Sequence, residues 1–206
     1  MTSWSDVPAL PAGTHAPALW HDDHGAGPAV VLLHGLADTH ELWRYQVPDL
    51  AAHYRVITVD HFGHGRTPPW PGELTTAIMA DGVARLIESL GLAPAVVVGL
   101  SMGGGVAQVL ALRAPALVRA LVLVSTSSEF SPATRERFHR RAEQAERGGM
   151  ASILEATVPR WFTPAFMAAH PDEVEATRRT VLANDPAAFG AASRANAMRG
   201  WSEHLG

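Results

Sequence analysis

The chain has 206 residues, 47% of them apolar and 17% charged, which fits one globular domain with a real core and excludes a disordered or fibrous chain. Sixteen basic residues, all of them Arg, against twenty acidic ones leave a net charge of −4. They are spread from Arg44 to Arg199 and build no phosphate-neutralising face, so nucleic acid is not an expected partner. The absence of Cys excludes disulfides, thiolate chemistry and cysteine-ligated metals.

In chain order, residues 1–17 carry three prolines and no periodicity, and read as a loose N-terminal arm with neither the basic start nor the apolar run of a secretory signal. No apolar stretch approaches the roughly 18 residues that cross a bilayer, so a membrane is not expected and the expected location is cytoplasmic. His21-Asp22-Asp23-His24 reads as a solvated turn in a surface hairpin, since a third and fourth metal ligand are not evident and no metal is expected. From there short apolar runs alternate with helical periods: AVVLL at 29–33, a helix from Trp43 to about Ala52, RVITVD at 55–60, and a helix from about Thr76 to Leu90. AVVVGL follows at 95–100, then a helix from Met102 to about Arg113, then ALVLVS at 120–125. Continuous Val/Leu/Ile strands separated by helices predict a mostly parallel sheet covered on both faces, a core over 18–128.

After Ser125 the chain turns rich in Ala, Arg and Glu, with helical periods near 132–147, 149–157, 171–183 and 186–199 and no further strand. Arg135, Arg137, Arg140 and Arg141 read as a solvated helix face. A helical segment over 129–206, following four parallel strands, predicts a cap over their carboxyl ends, where open α/β sheets bind ligands.

The chemistry concentrates where AVVVGL runs into Ser101-Met102-Gly103. A buried strand, then Gly99-x-Ser101-x-Gly103, then a helix, is the setting of a nucleophile elbow. So tight a bend needs neighbours without side chains, which Gly99 and Gly103 provide, and it sets the Ser101 hydroxyl beside the Met102 N–H at a helix start. Three fixed positions at about 7% usage recur by chance in somewhat under one chain in ten, so the neighbouring strands must carry the inference. One ends in Leu32-Leu33-His34-Gly35-Leu36, whose His34-Gly35 turn would leave the Leu36 N–H free as a second oxyanion donor; another ends in Asp60-His61-Phe62-Gly63-His64-Gly65-Arg66-Thr67.

With HGLADTHELW, DHFGHGRT and VGLSMGGGVA in this order, the sequence resembles the α/β-hydrolase superfamily from about residue 18 to 206. The cap segment Arg160-Trp161-Phe162-Thr163-Pro164-Ala165-Phe166 is similar to the branch of 3-oxoadipate enol-lactonases and cofactor-free haloperoxidases and esterases. The resemblance implies an α/β-hydrolase fold, no cofactor, Ser101 as nucleophile, an oxyanion hole from the N–H groups of Leu36 and Met102, and a small ester or lactone as substrate. Trp43, Arg160 and Trp161 are its candidates for the pocket wall, Arg160 as a clamp for a substrate carboxylate, against the plainer reading of the aromatics as core.

The family order of Ser, then Asp or Glu, then His places acid and base after later strands that this sequence does not show, so both are expected beyond Gly206. His34, His61 and His64 read as loop-holding rather than catalytic, Asp60 as structural, His204 as incidental, and Glu129 as the acid of a longer form only. A sheet left open after 120–125 would expose an apolar edge and lower solubility. Two other classes stay open: a non-catalytic, truncated or ligand-binding relative, and a perhydrolase-type haloperoxidase that shares Ser101 but uses peroxide.

Overall fold

The computed structural model describes residues 17–205. The expected arm over 1–17 lies, but for its last residue, outside them. Five strands form one sheet in the order β1-β3-β2-β4-β5: β1 His21–His24, β2 Ala29–Leu33, β3 Arg55–Val59, β4 Ala95–Leu100 and β5 Val118–Val124. Strands β2 to β5 run parallel, as their unbroken apolar runs require. Strand β1 pairs antiparallel with β3 at the edge, so His21-Asp22-Asp23-His24 is a strand and not a hairpin turn; Asp23 is held there by the Arg55 guanidinium at 2.7 Å.

The register brings four strand ends level. Val59 lies beside Leu33, Leu33 beside Gly99 and Gly99 beside Leu123. Whatever follows those ends is gathered at one rim of the sheet, which is how His34, Asp60 and Ser101 become neighbours from sites up to 67 residues apart in sequence.

Helices α2, Thr76–Ser89, and α3, Met102–Arg113, pack against each other and bury Val83, Ile87, Val106 and Val109 against Val31, Ile57 and Val97. Each such fully buried aliphatic side chain contributes about 1.5–3 kcal/mol. The helix expected over Trp43–Ala52 is divided into a 3₁₀ turn, His40–Trp43, and a short α1, Val47–Ala51, because Pro48 can sit only in a first helical turn. Trp43 packs on the other face of the sheet, with Val30, Leu32 and Val56.

The segment that the sequence reading takes as a cap folds into α4 Pro132–Gly148, α5 Ala151–Thr157, α6 Pro164–Ala169, α7 Pro171–Leu182 and α8 Pro186–Ala197. Helix α6 has no counterpart in the sequence reading, since its six residues are too few to show a period. Caps are written into the sequence: Ser131, Thr163 and Asp185 each accept a hydrogen bond from the N–H three residues on, with proline in the first turn. The cap adds one isolated bridge, Glu129 to Gly200. Strand β5 closes the sheet with Val122, Leu123 and Val124 exposed by 47%, 44% and 38%, an apolar edge as the sequence predicts. No helix among the described residues is long and apolar enough to cross a membrane.

Candidate active site

Ser101 lies between β4 and α3 with φ 50° and ψ −105°, a backbone conformation that L residues adopt only when the surroundings enforce it. The enforcement is steric and comes from the glycines. A Cβ on Gly99 would stand 2.5 Å from the Gly103 carbonyl oxygen, and one on Gly103 would stand 2.4 Å from that of Leu33. The Ser101 N–H donates to Val124 O at 2.9 Å and the Gly103 N–H to His34 O at 3.1 Å, so the bend is tied to both neighbouring strands.

Between those two engaged amides, the Met102 N–H has no hydrogen-bond partner among the described residues, and neither has the Leu36 N–H. Gly35 brings the second amide close, since a Cβ built on it would lie 3.7 Å from the Ser101 Cβ. A partly exposed Ser101 beside two amides without a partner among the described residues, at a helix start, is an arrangement that can receive a developing oxyanion.

The loop carrying Leu36 is held from beneath by histidines. Ala37, at φ 66°, donates its N–H to His64 Nε2 at 3.3 Å, and His64 Nδ1 lies 3.1 Å from Phe62 O, which makes Nδ1 the protonated nitrogen. His34 is fixed in the same tautomer: Nδ1–H donates to Gly35 O at 2.7 Å and Nε2 accepts the His61 N–H at 3.1 Å. The His34 ring meets His61 at 4.7 Å and His64 at 5.2 Å. All three rings are buried, and burial before all else pushes His34 well below 6.5, His61 down to about 3 and His64 downward, so they are neutral. The rings of His34 and His64 hold loops, whereas His61 Nε2 has no partner among the described residues.

Asp60 is fully buried and also structural in its bonding. Its carboxylate accepts the His40 N–H at 2.8 Å and the Arg66 N–H at 2.9 Å and lies 3.0 Å from His40 Nδ1, joining the loops after β2 and β3. Above the Leu36 loop, Asn184 of the cap donates to Ala37 O at 3.2 Å, a contact that sequence reading does not find because its partners lie 147 residues apart. Asp38 in the same loop has its carboxyl raised to about 6, by burial first.

No side chain among the described residues hydrogen-bonds the Ser101 hydroxyl. Glu129 is exposed and takes part in the bridge to Gly200, and His204 lies in a terminal 3₁₀ turn, Ser202–His204. The expected pocket residues separate. Trp43 is core, beneath the sheet, while Arg160 is exposed near Arg141 and Trp161 is 42% exposed, because the 3₁₀ turn Val158–Arg160 carries both to the cap's outside. A cavity of about 380 Å³ opens instead between the start of α2, His139 of α4 and the Ala187-Ala191-Ala195 face of α8, and none of Trp43, Arg160, Trp161 or Ser101 lines it.

Comparison with known proteins accords with this geometry. A family model described as alpha/beta hydrolase fold matches residues 28–147. A Mycobacterium tuberculosis protein provisionally named a non-heme bromoperoxidase is 43% identical over 127 residues, 61% of this chain and 47% of that protein. A thermophilic esterase from Thermogutta terrifontis superposes with a TM-score of 0.86 at 33% identity, over 93% of this chain and 71% of the esterase. The enol-lactonase from Burkholderia xenovorans does so with a TM-score of 0.82 at 29% identity, over 86% and 69%. The chain spans about half the length of the curated relatives it matches.

Proposed function

Since the chain belongs to the alpha/beta hydrolase fold family, we propose that it carries the nucleophile and oxyanion hole of a serine hydrolase acting on a small ester or lactone. The observation that carries this reading is Ser101 at φ 50° beside two amides that donate to nothing else among the described residues. Ser101 Oγ attacks the substrate carbonyl carbon and loses its proton to a base. The oxyanion sits on the N–H groups of Leu36 and Met102, and collapse expels the alcohol, or opens the lactone, to leave an acyl-serine that water hydrolyses. His34, His61 and His64 are buried, which disfavours taking up a proton, and the rings of His34 and His64 are already engaged in holding loops, so none of them serves as that base in this reading.

The similar esterase and enol-lactonase support an acyl substrate. A second reading draws on the similar bromoperoxidase: a perhydrolase would form the same acyl-serine and release it to hydrogen peroxide. The partition of one acyl adduct between water and peroxide separates the two.

The test is covalent. Incubation with p-nitrophenyl acetate places one acetyl group on the peptide that contains Ser101, read by mass spectrometry, and Ser101→Ala abolishes it. Adduct formation that survives Ser101→Ala refutes the nucleophile; absence of any adduct on the wild-type chain favours a non-catalytic relative.

A further inference from the structure

The family motif demands glycine at 99 and 103, yet the chain continues with Gly104 and Gly105. Both leave room for particular groups. A Cβ on Gly104 would lie 2.7 Å from the Thr126 side chain, and one on Gly105 would lie 2.8 Å from the guanidinium carbon of Arg199. Arg199 follows α8 at the end of the cap and is 1% exposed, yet it reaches down to the elbow.

Its hydrogen bonds are complete and all go to neutral acceptors. Nη2 donates to Ser101 O at 2.5 Å and to Asn196 Oδ1 at 2.7 Å, Nη1 to Thr126 Oγ1 and Ser127 O at 2.6 Å each, and Nε to Asn196 Oδ1 at 3.1 Å. Its flat face lies 4.8 Å from the centre of the Phe130 ring. Thr126 Oγ1 in turn donates to Ser101 O at 2.8 Å, and the Gly105 N–H donates to the same oxygen at 3.2 Å. Three donors, one of them a buried cation that forms no salt bridge among the described residues, therefore converge on one carbonyl.

That carbonyl and the Met102 N–H are the two ends of a single peptide group. Peptide resonance links them: drawing electron density onto the Ser101 oxygen leaves the Met102 N–H more positive and a better donor. We propose that Arg199 is a positioning residue of the oxyanion hole, which holds the Ser101–Met102 peptide in place and polarises it so that the Met102 N–H binds a developing oxyanion more strongly. This rests on the reading of Ser101 as nucleophile and adds a remote member to that site. It also assigns a purpose to the two further glycines, which admit the guanidinium and the threonine beside the helix start. The cap, through Arg199, is thereby coupled to the elbow.

The experiment has two readouts. In ¹⁵N-labelled protein the Met102 amide proton reports polarisation directly and needs no turnover; it moves upfield in Arg199→Met and in Gly105→Ala, where a methyl group displaces the guanidinium without removing the charge, and Arg199→Lys recovers part of the shift. Phenylboronic acid, which forms a tetrahedral adduct with a nucleophilic serine, binds Arg199→Met about threefold to tenfold more weakly than wild type. That is less than the hundredfold or more expected from deleting an oxyanion donor outright, because the donor is weakened and not lost. A Met102 resonance that stays in place in a folded Arg199→Met overturns the proposal, as does unchanged boronate affinity. If wild type and Ser101→Ala bind boronate alike, the nucleophile reading fails, and the amide shift still decides whether Arg199 polarises the peptide.

Discussion

Acidification should destabilise this protein through the histidines beneath the Leu36 loop, and His61 offers the cleanest measure of it. Its ring is buried, its Nε2 has no hydrogen-bond partner among the described residues, and burial first, electrostatic repulsion from the neighbouring His64 ring, were it protonated, second, holds it down to about 3. In the unfolded chain it returns to about 6.5. Below that value the unfolded state binds a proton that the folded state refuses, so stability is complete above pH 6.5 and falls as the pH drops toward 3. At pH 5 the difference is 1.36 kcal/mol times the logarithm of (1 + 10^1.5), or about 2 kcal/mol for His61 alone.

His34 and His64 are depressed in the same direction, which sets a ceiling of about 6 kcal/mol for the three at pH 5. Asp38 works against them, since its raised carboxyl relieves about 1 kcal/mol between pH 7 and pH 5. At that ceiling the net loss of about 5 kcal/mol would match the lower end of the 5–15 kcal/mol that holds a typical domain. His61→Phe keeps a ring edge against His34 and leaves intact the main-chain bond from residue 61 to His34 Nε2. Urea unfolding at pH 7 and pH 5 should then show the variant losing about 2 kcal/mol less than wild type across that interval. Equal losses would mean that His61 takes up its proton in the folded state and that burial does not exclude it.

Asp38→Asn tests the opposite sign: because the folded carboxyl titrates near 6 and the unfolded one near 3.8, the ionised form costs up to about 3 kcal/mol above pH 6 and nothing below 3.8. The variant should be more stable than wild type in urea at pH 8 and equal to it near pH 3.5, and a constant difference would refute the cause. Gly103→Ala should cost more than about 3 kcal/mol in thermal unfolding, since its Cβ would press on the Leu33 and His34 carbonyls, whereas Gly91→Ala, with open space around it at φ 63°, should cost only about 1–2 kcal/mol from its backbone conformation. Val122→Lys on the exposed β5 edge should reduce self-association in light scattering without changing the circular dichroism, and an unaltered particle size would show that this edge does not drive association.

What could be read from sequence, and what could not, follows the range of the forces involved. The strands at 29–33, 55–60 and 95–100 were legible because burial on both faces leaves an unbroken apolar run, and the elbow was legible because its steric demand falls on residues two positions away. Strand β1 was hidden: His21-Asp22-Asp23-His24 has no apolar alternation, and only Arg55 and the β3 edge make it a strand. Trp43, Arg160 and Trp161 were grouped by aromatic and charged character, and the turns that send them to a far face and to solvent cannot be seen in their types. Arg199 was invisible for a different reason, since its partners at 101, 126 and 127 lie 72 to 98 residues away and an arginine near a helix end ordinarily means a solvated charge. Yet its trace was present in the motif. A tight turn explains Gly99 and Gly103 but not Gly105, and a glycine in a helix that no turn requires costs about 1 kcal/mol relative to alanine. Such a cost is retained where a methyl group would collide with something, and here the colliding group is the guanidinium of Arg199.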